Sequence, residues 1–268
     1  MHRNEPPRCT RLATPGSDGS NELPGPCGLL TTPPLAATGV AAAQGQTADE
    51  SKWAIDVGVG IDFGVNGNVN SGAIGRLNGL ATAFLPQSYG DVYGAGIQIR
   101  FGGAYALNPV SEVRGVFTFQ SADADLVRLG DIGPSSLYGQ YSDYQAFGLD
   151  VGYRRYMPLD RRDIRVYGEA TIGLGFIDAI DVQLAAPQAN VVFDSTDFYD
   201  QTAAFTWSFG AGILFTIAEH IDLNAQVGLR HVSGLSQVDQ FAGTGLEDIN
   251  NDSGRLTFPV IVGIRYRF

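Results

Sequence analysis

The chain has 268 residues, 44% of them hydrophobic and 17% charged, enough apolar material for a large core and too much for a disordered chain. Mean hydropathy is close to zero, and no uninterrupted run of about 20 apolar residues occurs, which excludes a helical membrane protein. Twenty-eight acids against 17 bases give a net charge of −11, a balance that disfavours a nucleic-acid surface.

Lys52 is the only lysine beside 16 arginines. Arginine suits buried bidentate pairs, whereas lysine suits a solvated surface, so buried ion pairs are expected. Thirty-five glycines are about twice the usual share, and they lie inside apolar segments, where they disfavour helix. Cys9 and Cys27 stand in the first tenth of the chain, so neither a disulfide framework nor a Cys-ligated metal organises the rest. A cysteine-free body suits export through an oxidising compartment. Pro26 and the missing apolar run upstream argue against Cys27 as a lipid-anchor site.

In chain order, residues 1–28 are rich in Pro, Gly, Ser and Arg without periodicity, and Leu29 to Ala43 is charge-free and ends in Val40-Ala41-Ala42-Ala43. This pattern predicts a leader over 1–43 with cleavage after Ala43, then a short periplasmic segment over 44–52. From Trp53 the apolar residues recur at every second position. The first strand sets Trp53, Ile55, Val57, Val59, Ile61 and Phe63 against Ala54, Asp56, Gly58, Gly60 and Asp62. The second runs from Tyr93 to Phe101 and the third from Val113 to Phe119. Phe147 to Tyr153 and Val166 to Phe176 make the fourth and fifth, Phe205 to Phe215 the sixth, and Ile221 to Leu229 the seventh. The eighth alternates Leu256, Phe258, Val260, Val262, Ile264, Tyr266 and Phe268 and ends the sequence.

Eight such strands match an antiparallel, up-and-down transmembrane β-barrel over 53–268, an all-β fold. Long polar gaps at 64–91, 122–143, 178–202 and 232–254 alternate with short links near Asn108-Pro109, Pro158 to Asp163 and Ala218 to His220. That places both termini and the short turns in the periplasm and the long loops outside. The non-apolar face carries Asp56, Asp62, Glu112, Asp150, Glu169 and Asp222 opposite Arg100, Arg114, Arg154, Arg165, Arg230 and Arg265, with glycine and alanine between them. A soluble sandwich would spread lysine-rich charge over its exterior; here acids and arginines nearly balance. They predict ion pairs that plug a narrow lumen.

These features resemble the small eight-stranded outer-membrane barrels of Gram-negative bacteria, the OmpA-like and OmpX-like transmembrane domains of the porin family. The resemblance covers about Trp53 to Phe268. Its most specific piece is the ending Val262, Ile264, Tyr266, Phe268, which is similar to the signal read by the barrel-assembly machinery. It implies outer-membrane lipid and lipopolysaccharide as surroundings and a cell-envelope location.

Little in the sequence points to chemistry. Gly94, Gly96 and Gly102 sit inside a strand and fit no phosphate loop, and His2, His220 and His231 lack metal-ligand spacing, so no cofactor is expected. Asp194, Asp197 and Asp200 in an acidic gap without bases are candidate oxygen ligands for calcium, against simple solvation. His231 and Ser233 share a strand face at the outer end of the seventh strand, on the lipid side by parity with Leu229. The outer-membrane lipid A deacylases have a similar His-x-Ser, but Gly234 stands where they have asparagine, and Asp239, Glu247 and Asp248 compete as the third member. The expected role is structural or surface-interactive. A channel or carrier for apolar solutes is the alternative, and a hydrolase using His231 and Ser233 the next.

Overall fold

The computed structural model describes residues 52–161, 163–251 and 253–268. The leader assigned to 1–43 and most of the segment 44–52 lie outside the described residues. Eight long strands carry the fold: β1 (Trp53–Asn66), β2 (Ala95–Asn108), β3 (Ser111–Ala122), β4 (Tyr144–Met157), β5 (Ile164–Ile177), β6 (Thr202–Ala218), β7 (Ile221–Val232) and β8 (Arg255–Arg267). Each pairs antiparallel with its chain neighbours, and β1 pairs with β8 from Ala54 opposite Arg267 to Asn66 opposite Leu256, so the sheet closes into a barrel. Closure leaves no edge strand, which is what a hydrocarbon surround demands of a sheet.

The period of two decides which side chains meet which medium. Along β4, Tyr144, Ala146, Gly148, Asp150, Gly152, Arg154 and Tyr156 are buried and the residues between them exposed. Most outward residues on the other strands are large and apolar, among them Trp53 at 58% exposure and Ile97 at 62%. Aromatic rings mark both ends of this band. Trp53 packs on Tyr105 at 4.9 Å and Tyr266 on Phe268 at 5.3 Å near the short links, and Phe119 packs on Phe147 at 5.1 Å near the long ones.

The long connections differ from the polar gaps expected of them. They fold into a second sheet in the order 236–237, 196–200, 180–186, 135–141, 126–132, 80–84 and 73–77. That order repeats the order of the loops around the barrel, so the sheet forms a second layer on its long-loop end. The inner face of this layer is apolar, with Leu129, Leu137, Ile180, Val182, Phe198 and Tyr199 at most 1% exposed. The two outermost strands do not pair with each other. The segment 239–250 seals the seam: Arg76 N donates to Thr244 O at 2.7 Å on one side, and Asn250 Nδ2 donates to Phe198 O at 2.9 Å on the other. Leu246 and Ile249 from that segment are fully buried in the core.

These strands escape a sequence reading for a physical reason. Residues 180–186 do alternate, Ile180, Val182, Leu184, Ala186, yet the run is short and its partners include Asp181 and Gln183. Its apolar face becomes a core only when the other three loops supply the opposite wall.

Candidate functional site

The barrel interior holds a network of charges. Glu169 on β5 accepts from Arg154 Nε at 2.9 Å, from Arg100 Nη2 at 3.2 Å and from Arg114 Nη1. Glu112 on β3 takes both Nη atoms of Arg265 at 2.7 and 2.6 Å, a bidentate pair. Asp56 on β1 bonds Arg114 Nη2 at 2.8 Å. Six of the eight strands contribute to this cluster, and β7 adds Gln226, whose Oε1 accepts from Arg100 Nη1 at 3.2 Å. The Arg154 guanidinium also lies 3.8 Å over the Tyr167 ring.

Glycine makes the room. A Cβ at Gly212 on β6 would meet the Tyr167 ring at 2.4 Å and Ala225 O at 2.7 Å, and one at Gly148 would meet Arg230 Nη2 at 2.6 Å.

Smaller groups lie toward each end. Near the short links, Asp222 binds Arg165 Nη2 at 2.6 Å and Arg267 Nε at 3.2 Å, and accepts from Thr216 Oγ1 at 2.7 Å. Higher up, Asp150 accepts from Thr206 Oγ1 at 2.6 Å and stands 3.7 Å from Arg230. Asp62 takes Gln120 Nε2 at 2.7 Å and lies 3.6 Å from Arg255. Arg255 then reaches the upper layer, 4.4 Å over the Tyr144 ring and 5.4 Å over Tyr89. Tyr89 belongs to α1 (Tyr89–Tyr93), held by a capping box between Ser88 and Asp91.

Every acid and arginine assigned to the lumen from the sequence therefore points inward. Arg154 pairs with Glu112 and Glu169 directly opposite it on the neighbouring strands, but Arg114 departs from neighbour matching by bridging Asp56 on β1 and Glu169 on β5. Arg255 and Arg267 were missed as partners. The signal was present, since extending the β8 alternation by one residue puts Arg255 on the inner face with Arg265 and Arg267. The voids between these groups measure about 20 Å³ each, room for a water molecule and no more.

His231 and Ser233 do not form a catalytic pair in this structure. The His231 ring stacks on Trp207 at 5.2 Å and 13°. Ser233 Oγ accepts from Phe205 N at 2.9 Å, a bond that ends the β6–β7 ladder. Among the described residues no hydrogen bond joins His231 to Ser233 or to an acid.

Asp197 and Asp200 lie on the strand 196–200 and Asp194 precedes it. Asp197 stands directly opposite Asp181, and partial burial together with the Asp197 charge raises the Asp181 carboxyl above its usual range. Among the described residues no three His, Cys, Asp or Glu side chains converge as metal ligands would. At the other end, Phe268 N donates to Trp53 O at 3.2 Å and its ring is exposed beside Tyr266.

No curated protein matches the chain. Solved structures with similar folds include OprG from Pseudomonas aeruginosa, at 12% identity and a TM-score of 0.44, covering 82% of this chain and 97% of that one. Neisserial surface protein A is 10% identical with a TM-score of 0.43, covering 81% and 98%. Ail, the attachment invasion locus protein of Yersinia pestis, in complex with the heparin analogue sucrose octasulfate, is 12% identical with a TM-score of 0.37, covering 81% and 99%. The family profile of the outer membrane protein beta-barrel domain matches residues 34–268. With a closed eight-stranded barrel, an apolar outer band and that match over most of its length, the chain belongs to the outer membrane protein beta-barrel domain family and is a bacterial outer-membrane β-barrel.

Proposed function

We propose that the protein is a surface-interaction barrel, with the long-loop end outside the cell and the short turns and both termini in the periplasm. The observation that carries this reading is the second layer. An apolar core lies over a lumen already filled by ion pairs, which supports a folded platform and argues against a path for ions or apolar solutes. His231 and Ser233 are each engaged elsewhere, which supports a non-enzymatic role. Outer-membrane lipid and lipopolysaccharide surround the barrel in this reading, and Tyr266 and Phe268 serve the assembly machinery.

Charge narrows the class of surface partner. The spans 64–91, 122–143, 178–202 and 232–254 hold fourteen acids and two bases, Arg76 and Arg128. Loops of this composition repel a polyanion. A cationic partner fits them.

Two measurements test the reading. The purified protein in a planar bilayer is expected to pass no steady current, and a steady current would favour the channel. In intact cells a cysteine placed at the exposed Gln183 of the second layer is expected to react with a membrane-impermeant maleimide. Labelling only after the outer membrane is opened would reverse the orientation.

A further inference from the structure

The outer wall of the barrel carries two grooves of similar size, about 540 and 550 Å³. The first runs over Gly103 and Gly115, and its outward side chains, including Phe101, Phe117, Leu149 and Val151, are apolar. Hydrocarbon of any kind satisfies it. The second lies near the short links. Gly168 and Ala170 on β5 form its floor, Tyr153 and Met157 on β4 and Phe209 on β6 form its walls, and Arg155 stands at its rim.

Arg155 is unlike the other strand arginines. Eight of them, at 100, 114, 154, 165, 230, 255, 265 and 267, turn inward onto carboxylates. Arg155 lies between the buried Arg154 and Tyr156, so it points outward, and its backbone stands opposite Gly168. Among the described residues its side chain has no ion pair and no hydrogen bond. It sits two residues from the end of β4, on the turn side of Tyr153, where a long cationic side chain can reach the headgroup level.

We infer that this groove is a binding site for one anionic phospholipid of the leaflet at the short-turn end, its phosphate on Arg155 and an acyl chain along Gly168 and Ala170. The complementarity is chemical. A guanidinium offers paired donors to a phosphate, and an anionic headgroup adds attraction that a zwitterionic one lacks. The floor is open, since a Cβ built at Gly168 meets nothing within 4 Å. The leaflet named here rests on the orientation proposed above; the groove and its cation do not.

Native mass spectrometry of the purified full-length protein, incubated with equal amounts of phosphatidylglycerol and phosphatidylethanolamine, tests the site. The wild type is expected to retain phosphatidylglycerol preferentially. Arg155→Gln should cut that preference about fivefold, the scale of one basic residue at an anionic surface. Gly168→Leu, which fills the groove, should remove both adducts, and Gly115→Leu, which fills the other groove, should leave them unchanged. Heat-modifiable migration on gels shows that each variant has folded, and Arg155→Gln reads independently of the glycine changes. An unchanged lipid preference in Arg155→Gln, or equal losses from the two leucine variants, would overturn the proposal. Failure of the orientation would appear in the Gln183 labelling and leave the adduct pattern intact.

Discussion

Glu169 and Asp150 show how differently two inward carboxylates can be held. Glu169 is 5% exposed and meets three guanidinium groups. Asp150 is similarly buried, but its arginine is 3.7 Å away and its close partner is the Thr206 hydroxyl. Removing one side of a buried pair leaves the other charge unmatched, at a cost of about 3 to 5 kcal/mol. Glu169→Gln and Glu112→Gln, which strand several arginines, are therefore expected at the upper part of that range. Asp150→Asn, which retains an acceptor for Thr206 and leaves one loosely paired arginine, should cost about 1 kcal/mol. Urea unfolding midpoints in lipid vesicles check the order. Equal midpoints for all three variants would mean that water already screens the lumen charges.

Among the elements, the strands 180–186 and 196–200 carry a local conflict. Asp181 and Asp197 face each other across the ladder, and like charges so placed weaken a strand pair. The sign follows from the raised Asp181 carboxyl. The folded state holds the proton more tightly than the unfolded chain, so the layer gains stability as the pH falls through the folded pKa and loses it again as the pH rises. Asp197→Asn should stabilise this pairing at neutral pH by about 0.5 kcal/mol and flatten the acid dependence. Hydrogen-exchange protection of 180–186, corrected for intrinsic rates at pH 7 and pH 5, measures it. Unchanged protection and unchanged pH dependence would show that a cation or another group already offsets the pair. The Asp181–Asp197 pair lies in the second layer, and the charge cluster in the lumen takes no part in it.

At the scale of the whole molecule, barrel and second layer are held by different forces. The barrel is a closed ring of backbone hydrogen bonds and is expected to resist detergent until boiled, so the folded band should migrate faster than the heated one. The second layer is held by an apolar core and sealed by 239–250, which contributes Phe241, Leu246 and Ile249. Replacing 239–250 by a short Gly-Ser linker should leave the heat-modifiable band in place, because that segment lies outside the barrel strands. It should expose 73–84 and 180–200 to protease, because their core loses one wall. Loss of the heat-modifiable band would show that the barrel closes only under its cap.

The sequence by itself determined the barrel. Alternation from Trp53 to Phe268 specifies which residues meet lipid and which meet the lumen, since a strand's side chains have a strict period of two and a one-residue slip would turn every charge outward. The same parity placed Asp56, Glu112, Glu169 and their arginines inside. It could not choose the partners, because Arg154 bonds the carboxylates directly opposite it on β3 and β5, whereas Arg114, Arg100 and Arg265 cross the lumen to carboxylates on strands that are not their neighbours. Only the tertiary structure decided that the long loops form a layer with a core. Each loop strand is too short to bury an apolar face alone, and the covering surface comes from three other loops more than thirty residues away. The outward Arg155 was legible as a break in the apolar face of β4, but its meaning depends on Gly168 and Phe209, brought beside it by the closure of the sheet.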